Sequence, residues 1–389
     1  MGKLMRAIGL MSGTSLDGID VALVDTDGEQ VVERGPSATY PYSAAFREQL
    51  RAGLAEAANI TRRNERPGRL RMLEQYLTDL HVEAVTQFRE DNSLAAASID
   101  VIGFHGQTVL HRALSHLTLV AGSAVARGDN GPRMLTVQLG DGDRLAKSTG
   151  IDVVYDMRAA DIAAGGQGAP LVPVYHRALL TQVPQRPVAV VNVGGVANIT
   201  WIATDGQLLA FDTGPGNAMI DDWMMKHTGA PRDPDGMQAA QGRVHEDYVA
   251  EYLRHSHFAL RPPKSLDRNA FARELVDELS VADGAATLTA FTASAIAKAR
   301  EHLPHEPALW IVAGGGRKNK TLMSMLAGRV ENAVVPAEAV GLDGDTMEAE
   351  AWAYLAVRSL KMLPLTFPGT TGVAEPVTGG VLAKAPRKK

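Results

Sequence analysis

Small polar residues and two carboxylates are concentrated near the start of the chain, in the stretch IGLMSGTSLDGIDVALVD (8–25). Apolar residues flank this turn, so the pattern predicts a β-hairpin that presents Asp17 and Asp20 beside several backbone N–H groups. Successive N–H groups in a tight turn form a concavity that attracts anions, and Mg²⁺ is usually held by one or two carboxylates. The turn could therefore bind a phosphate with its metal ion. An ordinary turn, in which Asp17 bonds its own backbone, explains the same residues equally well.

Two more glycine-rich turns follow. One lies between two predicted strands in VNVGGVANIT (191–200), and the other, AGGGRKN (313–319), ends a strand and opens a helix. The sequence has no G-x-x-x-x-G-K-[ST] phosphate loop, and the two hairpins do not fit the dinucleotide fingerprint because a strand follows each turn. Each turn alone is more often structural. Together, two facing hairpin turns could hold a polyphosphate, and the third could admit a flat ligand at a helix N-terminus.

Five other side chains have types and positions suited to catalysis or ligand binding. Asp161 precedes several glycines in RAADIAAGGQGAPLVP (158–173), where a carboxylate could act as a general base or could cap a helix. His105 and Gln107 follow a predicted strand and are spaced by Gly106, although a lone histidine is more often structural. Arg158 suits a planar carboxylate. Glu348 opens the last helix, where it either contacts a ligand or simply favours the helix dipole.

Composition excludes several classes of protein. The chain has 389 residues, which favours two domains, and a net charge of −5, which argues against a general nucleic-acid binder. It contains no cysteine, so disulfides, thiolate metal sites and cysteine nucleophiles are excluded. We find no apolar leader and no run long enough to span a membrane, and therefore expect a cytoplasmic protein without membrane partners.

The elements that must position these residues alternate between strands and helices, which predicts an α/β fold. The clearest predicted helix is 69–88, with apolar residues at helical spacing, and others are predicted at 285–303 and 345–363. The basic stretch NITRRNERPGR (59–69) is typical of a solvated loop, with a functional basic patch as the less favoured alternative. The opening hairpin (8–25) has a partner of the same design at 188–202. This repetition predicts two related halves, each beginning with a hairpin.

The order of the three turns resembles that of the actin, heat-shock ATPase and hexokinase superfamily. The strings GLMSGTSLDGID, GFHGQT, ADIAAGGQGAPLVP, VNVGGVANIT, FDTGPGNAMIDDW and GDTMEAEAWAYLA are similar to those of the anhydro-N-acetylmuramic acid kinase family. The resemblance extends from Ile8 to about Leu382, and the segment 116–135 is longer than the family pattern leads us to expect. It implies two ribonuclease-H-like domains with an ATP cleft between them. The expected boundaries are 1–155 plus 348–389 for the first domain and 156–347 for the second.

The family's reaction converts ATP, water and 1,6-anhydro-N-acetylmuramic acid into N-acetylmuramic acid 6-phosphate and ADP. By resemblance, Asp161 is the catalytic base and Asp17 the contact for Mg²⁺. His105, Gln107, Arg158 and Glu348 are then expected to bind the sugar, with Arg158 pairing its lactyl carboxylate. The expected ATP-binding residues are Gly13, Thr14, Ser15, Leu16, Asp17, Gly18, Ile19, Asp20, Gly194, Gly195, Gly314, Gly315 and Gly316.

Two alternatives remain open from the sequence. A levoglucosan-type anhydrosugar kinase would use the same bond chemistry without contacts for the N-acetyl and lactyl groups. A non-catalytic ATPase of the same superfamily would bind ATP and change shape, but would have no use for a water-activating carboxylate at Asp161. The resemblance also leaves open whether the chain forms a homodimer.

Overall fold

A computed structural model describes residues 3–13, 15–112, 134–266, 270–271 and 274–386. Thr14 and nearly all of the long segment 116–135 therefore lie outside the described residues. The strands are β1 (Met5–Ser12), β2 (Gly18–Thr26), β3 (Val32–Pro41), β4 (Val101–Arg112), β5 (Leu135–Leu139), β6 (Val153–Tyr155), β7 (Val188–Val193), β8 (Val196–Ile202), β9 (Leu208–Pro215), β10 (Leu309–Ala313), β11 (Ala333–Pro336) and β12 (Val381–Ala383).

The α-helices confirm the three predicted from sequence and add eight others in the described residues. In the described residues, no helix has both the length and the apolarity needed to cross a bilayer. The helices are α1 (Ala44–Ala57), α2 (Leu70–Asp91), α3 (Gly142–Thr149), α4 (Ala159–Ala163), α5 (Pro173–Leu179), α6 (Ala218–Thr228), α7 (Glu246–Tyr252), α8 (Val281–Lys298), α9 (Lys320–Ala327), α10 (Met347–Leu360) and α11 (Pro368–Thr371).

The first unit comprises Met1–Thr181 and Thr346–Lys389. Its sheet has the order β12-β6-β4-β1-β2-β3, with β5 paired to β4. The strands β1, β2 and β3 form an antiparallel meander, whereas β4 runs parallel to β1 and β6 runs parallel to β4. The opening hairpin therefore places β1 beside β4 in the middle of the sheet and β2 beside the edge strand β3, and the predicted strand–turn–strand is confirmed.

Helix α10 packs against β1, β2 and β4 at backbone distance. A Cβ atom at Gly9 would lie 1.8 Å from the carbonyl oxygen of Ala349, and one at Gly103 would lie 2.0 Å from that of Trp352. Both positions must therefore remain glycine for the helix to lie this close. The contact fixes the start of α10, where Glu348 and Trp352 are found, relative to the strands that carry the opening turn and His105.

The second unit comprises Gln182–Asp345. Its sheet has the order β11-β10-β7-β8-β9, with an antiparallel meander β7-β8-β9 followed by β10 and β11 parallel to β7. This repeats the order β3-β2-β1-β4-β6 of the first unit strand for strand. The two sheets match, as the repeated hairpin predicts. Each is the ribonuclease-H-like sheet that the resemblance implies, and the α/β, actin/hexokinase-type fold class is confirmed.

The boundary between the units differs from the expected one. Residues 156–181 belong to the first unit, and the second ends at Asp345 rather than at 347. The reason lies in contacts that no local pattern displays. Thr371 bonds the side chain of Asp161, and the hydroxyl of Tyr175 donates to Glu350 at 2.7 Å, so α4 and α5 are fastened to the C-terminal segment of the first unit.

Candidate active site

The carboxylate of Asp161 is buried and held by two short hydrogen bonds. The N–H group of Gly168 donates to Oδ2 at 2.6 Å, and the hydroxyl of Thr371 donates to Oδ1 at 2.6 Å. Asp161 is the third residue of α4 and none of these bonds goes to the helix N-terminus, so the capping alternative does not describe it. Each oxygen has a second lone pair. The group can therefore accept a proton while its orientation is fixed.

Glycine is required beside this carboxylate. A Cβ atom at Gly166 would lie 2.3 Å from Oδ2 of Asp161, and the N–H group of Gly166 donates to the carbonyl oxygen of Asp161 at 2.8 Å. Gly168, which supplies the bond to Oδ2, has a φ angle of 76°, a conformation that favours glycine. The glycines that follow Asp161 in the sequence therefore shape the backbone around its side chain.

Arg158 and His105 form the next layer. The guanidinium of Arg158 donates to Nε2 of His105 at 3.1 and 3.3 Å and to the carbonyl oxygen of Gly168 at 2.9 Å. Because a guanidinium can only donate, Nε2 must accept, and the proton of the neutral ring lies on Nδ1. Burial, followed by the charge of Arg158, holds the pKa of His105 well below its usual value. The histidine is therefore neutral at physiological pH.

A cation and a carboxylate are thus connected through one residue, Gly168. Gly168 accepts from Arg158 with its carbonyl and donates to Asp161 with its N–H group. Burial lowers the pKa of Arg158 to about 10, against the opposing charges of Glu348 and Asp161, so the group stays positive at neutral pH. The indole of Trp352 packs against both His105 and Arg158. Its ring centroid lies 4.5 Å from that of His105 and 5.3 Å from the guanidinium carbon of Arg158.

The structure therefore brings four of the predicted site residues together: Asp161, Arg158, His105 and Glu348. Gln107 lies at the opening turn instead, where its side-chain amide donates to the carbonyl oxygen of Gly13 at 3.1 Å. Sequence reasoning missed Thr371 and Trp352. The only local signal for Trp352 is its place one helical turn after Glu348.

The opening turn exposes the carboxylate of Asp17. The hydroxyl of Ser15 donates to Oδ1 of Asp17 at 2.7 Å, and Leu16, with a φ angle of 56°, buries its side chain beneath the turn. The next three residues are held by the first unit itself. Ile19 belongs to the core, and Asp20 accepts from the hydroxyl of Thr39 at 2.6 Å. A Cβ atom at Gly18 would lie 2.5 Å from the carbonyl oxygen of Tyr40. An exposed carboxylate in a tight turn suits a hydrated Mg²⁺ ion bound to phosphates. Among the described residues, no group of three or more histidine, aspartate or glutamate side chains forms a metal cage.

The predicted glycines of the second unit converge around Asn217. The carbonyl oxygen of Gly194 accepts from the N–H group of Asn217 at 2.7 Å, and that of Gly195 accepts from Gly216 at 2.9 Å. The side chain of Asn217 donates to the carbonyl oxygen of Val193 at 3.1 Å and lies 3.8 Å from the Cβ position of Gly315. Gly314 and Gly316 pack against Asn192 and Val193 at the end of β7. At Gly195 and Gly315, the nearest atoms lie 3.8 Å from the Cβ position, so a flat ligand could approach the backbone closely.

A buried polar cluster holds the neighbouring strand β9. Lys264 is 5% exposed and donates to the carbonyl oxygen of His257 at 3.1 Å and to His302 at 3.2 Å. Burial lowers its pKa to about 8 and raises that of Asp212 to about 7. Asp212 accepts from the N–H group of Leu266 at 2.8 Å. These residues fasten the segment before residue 267 to the strand, so Lys264 is part of the interior rather than of a solvated loop.

A cavity of about 270 Å³ lies within the first unit, beside the glycine-rich stretch 165–168 that follows Asp161. Gly168 links the two, because its Cβ position lies 3.2 Å from the ring of His111, which bonds the hydroxyl of Thr136 at 3.2 Å in the cavity wall. His105 lines the cavity as well. The full lining is Arg63, Asn64, Arg66, Phe104, His105, Gly106, Thr136, Val137, Gln138, Leu139, Gly140, Tyr155 and Asp156.

Comparison with known proteins identifies the family. The family model described as anhydro-N-acetylmuramic acid kinase matches residues 5–385. A protein of that name from Nitrobacter winogradskyi is 52% identical over 383 residues, covering 98% of this chain and 100% of the relative. Another from Rhizobium johnstonii is 53% identical over 388 residues, again covering 98% and 100%. One from Brucella canis is 51% identical over 387 residues, covering 98% and 99%. The chain belongs to the anhydro-N-acetylmuramic acid kinase family.

Proposed function

We propose that this protein is an ATP-dependent kinase that opens the 1,6-anhydro ring of anhydro-N-acetylmuramic acid and phosphorylates O6. The observation that supports it most is the buried carboxylate of Asp161, oriented by two hydrogen bonds and set beside Arg158 and His105. A protein that only binds nucleotide has no use for such a group. Membership of the family makes the anhydro sugar the substrate that fits best.

Ring opening and phosphoryl transfer would form one balanced reaction. Asp161 takes a proton from a water molecule, whose oxygen forms a bond to C1 while the bond from C1 to O6 breaks. O6 attacks the γ-phosphorus of ATP, and the bond from that phosphorus to the β-phosphate oxygen breaks, which releases ADP. The phosphoryl group thus replaces the proton that a glycosidase delivers to its leaving oxygen. Water attacks from the face opposite O6, so the product forms first as the α-anomer.

The positioning residues follow from their contacts. Thr371 and Gly168 hold the two oxygens of Asp161, and Arg158 holds Gly168 from its other side. We propose that Arg158, His105 and Glu348 also contact the sugar, because they surround the carboxylate that must face C1. Gln107 would act at the junction with the nucleotide, since it holds the turn at Gly13.

ATP would be held by the glycine-rich turns of both units. In the first, these are residues Gly13 to Asp20, including Thr14. In the second, they are Gly194, Gly195, Gly314, Gly315 and Gly316. Mg²⁺ would be held through Asp17, directly or through water, and when bound it neutralises charge on the phosphates. We further propose a cytoplasmic location, because ATP is available there.

Mass spectrometry of the sugar tests this proposal. After incubation with MgATP and 1,6-anhydro-N-acetylmuramic acid, we expect a product heavier by one phosphoryl group plus one water. A product formed only from levoglucosan would assign the chain to the other anhydrosugar activity. ATP that is bound or hydrolysed while both sugars stay unchanged would contradict a kinase of either kind.

A further inference from the structure

A basic loop supplies arginines to the cavity beside Asp161. This is the stretch 59–69, and three of its residues, Arg63, Asn64 and Arg66, line the cavity. The loop is fixed by Arg66, whose Nε and Nη2 donate to Glu74 at 2.9 and 2.8 Å. Its Nη1 donates to the carbonyl oxygens of Arg63 and Glu65 at 2.8 and 2.9 Å. Arg66 therefore shapes the backbone on which Arg63 is presented.

Arg63 keeps more binding capacity than Arg66, whose guanidinium makes four hydrogen bonds with its five N–H donors. Nη2 of Arg63 donates to both carboxylate oxygens of Asp156, while in the described part of the chain Nε and Nη1 donate to no other residue. The side chain is 43% exposed. A guanidinium has five N–H donors in a planar fork, which suits a second carboxylate beside the first.

The cavity is adjacent to the proposed reaction centre. Asp156 lies in its wall and precedes Asp161 by five residues, at the junction between β6 and α4. His105 lies in the same wall and accepts from Arg158, which in turn donates to the carbonyl oxygen of Gly168, the residue whose N–H group bonds Asp161. A substituent of a sugar whose C1 lies near Asp161 would therefore extend into this cavity.

We propose that Arg63 is a specificity-determining residue that binds the carboxylate of the sugar's lactyl ether in this cavity. The inference rests on the proposed function, because N-acetylmuramic acid is distinguished from other amino sugars by this ether. Asp156 would repel an incoming carboxylate, and Arg63 offsets that repulsion while it donates to the substrate. Arg158 fits this role less well, since three of its N–H groups already serve His105 and Gly168 and its face lies over Trp352.

The test pairs a change in the enzyme with a change in the substrate. The enzymes are wild type, Arg63→Gln and the control Arg62→Gln, which alters the neighbouring exposed arginine outside the cavity lining. The substrates are 1,6-anhydro-N-acetylmuramic acid and its lactyl carboxamide, in which the negative charge is absent. A further variant, Asp156→Asn, removes the negative charge of the Arg63–Asp156 ion pair and leaves Arg63 in place. Asparagine tolerates the φ angle of 56° found there.

We expect Arg63→Gln to raise KM for the acid about ten- to a hundredfold with little change in kcat, as for the loss of a charged hydrogen bond. The preference of wild type for the acid over the amide should disappear in this variant and persist in Arg62→Gln. Asp156→Asn should keep or increase the preference. If Arg63 only holds the loop against Asp156, Arg63→Gln and Asp156→Asn would each raise KM for the acid and for the amide by the same factor.

The outcomes separate this inference from the proposed function. An unchanged preference of Arg63→Gln for the acid, in a protein whose melting temperature matches wild type, overturns the role of Arg63 alone. Failure of wild type to phosphorylate the acid at all overturns the proposed function, and the inference with it.

Discussion

At the scale of single residues, Asp161 is the proposed general base that takes a proton from water. Asparagine at this position keeps the shape but cannot take a proton, and one of its two donors, Gly168 or Thr371, would face the amide N–H₂. We expect Asp161→Asn to lower kcat by about 10²- to 10⁴-fold, the usual contribution of a general base. ATP affinity, measured by calorimetry, should stay within about twofold because Asp161 is not among the expected nucleotide contacts.

A matched control is Asp79→Asn, which removes a carboxylate from a surface ion pair with Arg144. It should leave kcat unchanged, because exposed ion pairs contribute little. Sugar turnover by Asp161→Asn at a rate within a few fold of wild type would show that another group activates the water.

Asp17 carries the expected metal contact. We expect Asp17→Asn to raise the Mg²⁺ concentration needed for half-maximal activity about tenfold, because a neutral amide is a weaker ligand for a hard cation. The measurement is a Mg²⁺ titration at fixed ATP. Asp205→Asn, in an exposed turn of the second unit, is the control, since its turn bond can be kept by an amide oxygen. Identical titrations for Asp17→Asn and wild type would contradict the assignment.

Residue roles were only partly readable from the sequence. The residues around Asp161 alone left a helix cap as an alternative, and the family resemblance favoured a base. The partner that decides its local role, Thr371, is 210 positions away and lies in a segment with no motif of its own. Arg63 illustrates the same limit, because a run of arginines beside Pro67 and Gly68 is typical of solvated loops whether or not the fold closes a cavity beside it.

At the scale of elements, the contact between α10 and the first sheet sets the geometry of the site. A Cβ atom at Gly103 would meet the backbone of Trp352, which cannot rotate away as a side chain would. We expect Gly103→Ala to lower the free energy of unfolding by about 2 kcal/mol or more, as for an overpacked core. It should also reduce kcat, because α10 carries Glu348 and Trp352.

The control is Gly328→Ala at the end of α9, where the nearest atom to the new Cβ is an ordinary 3.6 Å away. It should change stability by less than about 0.5 kcal/mol. Denaturant unfolding and steady-state rates of the two variants measure both effects. Equal stability of the two would mean that α10 shifts freely on the sheet.

Elements were more predictable than their boundaries between units. Alternation and turn chemistry predicted both hairpins, and their repetition predicted the matching sheets, because each hairpin begins a meander of the same order. The contact boundary between the units lies a short helical region after the expected boundary near residue 155. A helix pair after a strand has no sequence mark that says which sheet it joins, and here the hydrogen bonds of Asp161 and Tyr175 decide it.

At the scale of the whole molecule, buried histidines make stability depend on pH. Burial lowers the pKa of His81, His176 and His257 to about 4 in each case. Because the unfolded chain binds these protons near pH 6.5, it holds more protons than the native state between pH 6.5 and 4. The contribution of these histidines to the free energy of unfolding is therefore fully present above pH 6.5. It is lost as the pH falls toward 4, by up to roughly 3 kcal/mol for each histidine.

His81 allows this to be tested at one position. Its Nδ1 donates to the carbonyl oxygen of Leu77 at 2.8 Å, so its Nε2 accepts from the hydroxyl of Ser12, which accepts from that of Tyr42. His81→Gln keeps an acceptor but cannot gain a proton. We expect its melting temperature to fall less than that of wild type between pH 7 and pH 4.5. Parallel pH profiles for the two proteins would contradict a buried neutral His81.

The most direct test of the central claim is a proton NMR time course of the reaction with MgATP and 1,6-anhydro-N-acetylmuramic acid. If water activated by Asp161 opens the ring as O6 takes the phosphoryl group, the anomeric signal of the α-anomer of the 6-phosphate appears first and the β-anomer follows by mutarotation. A β-anomer that appears first, or an opened sugar that accumulates without phosphate on O6, would contradict the account.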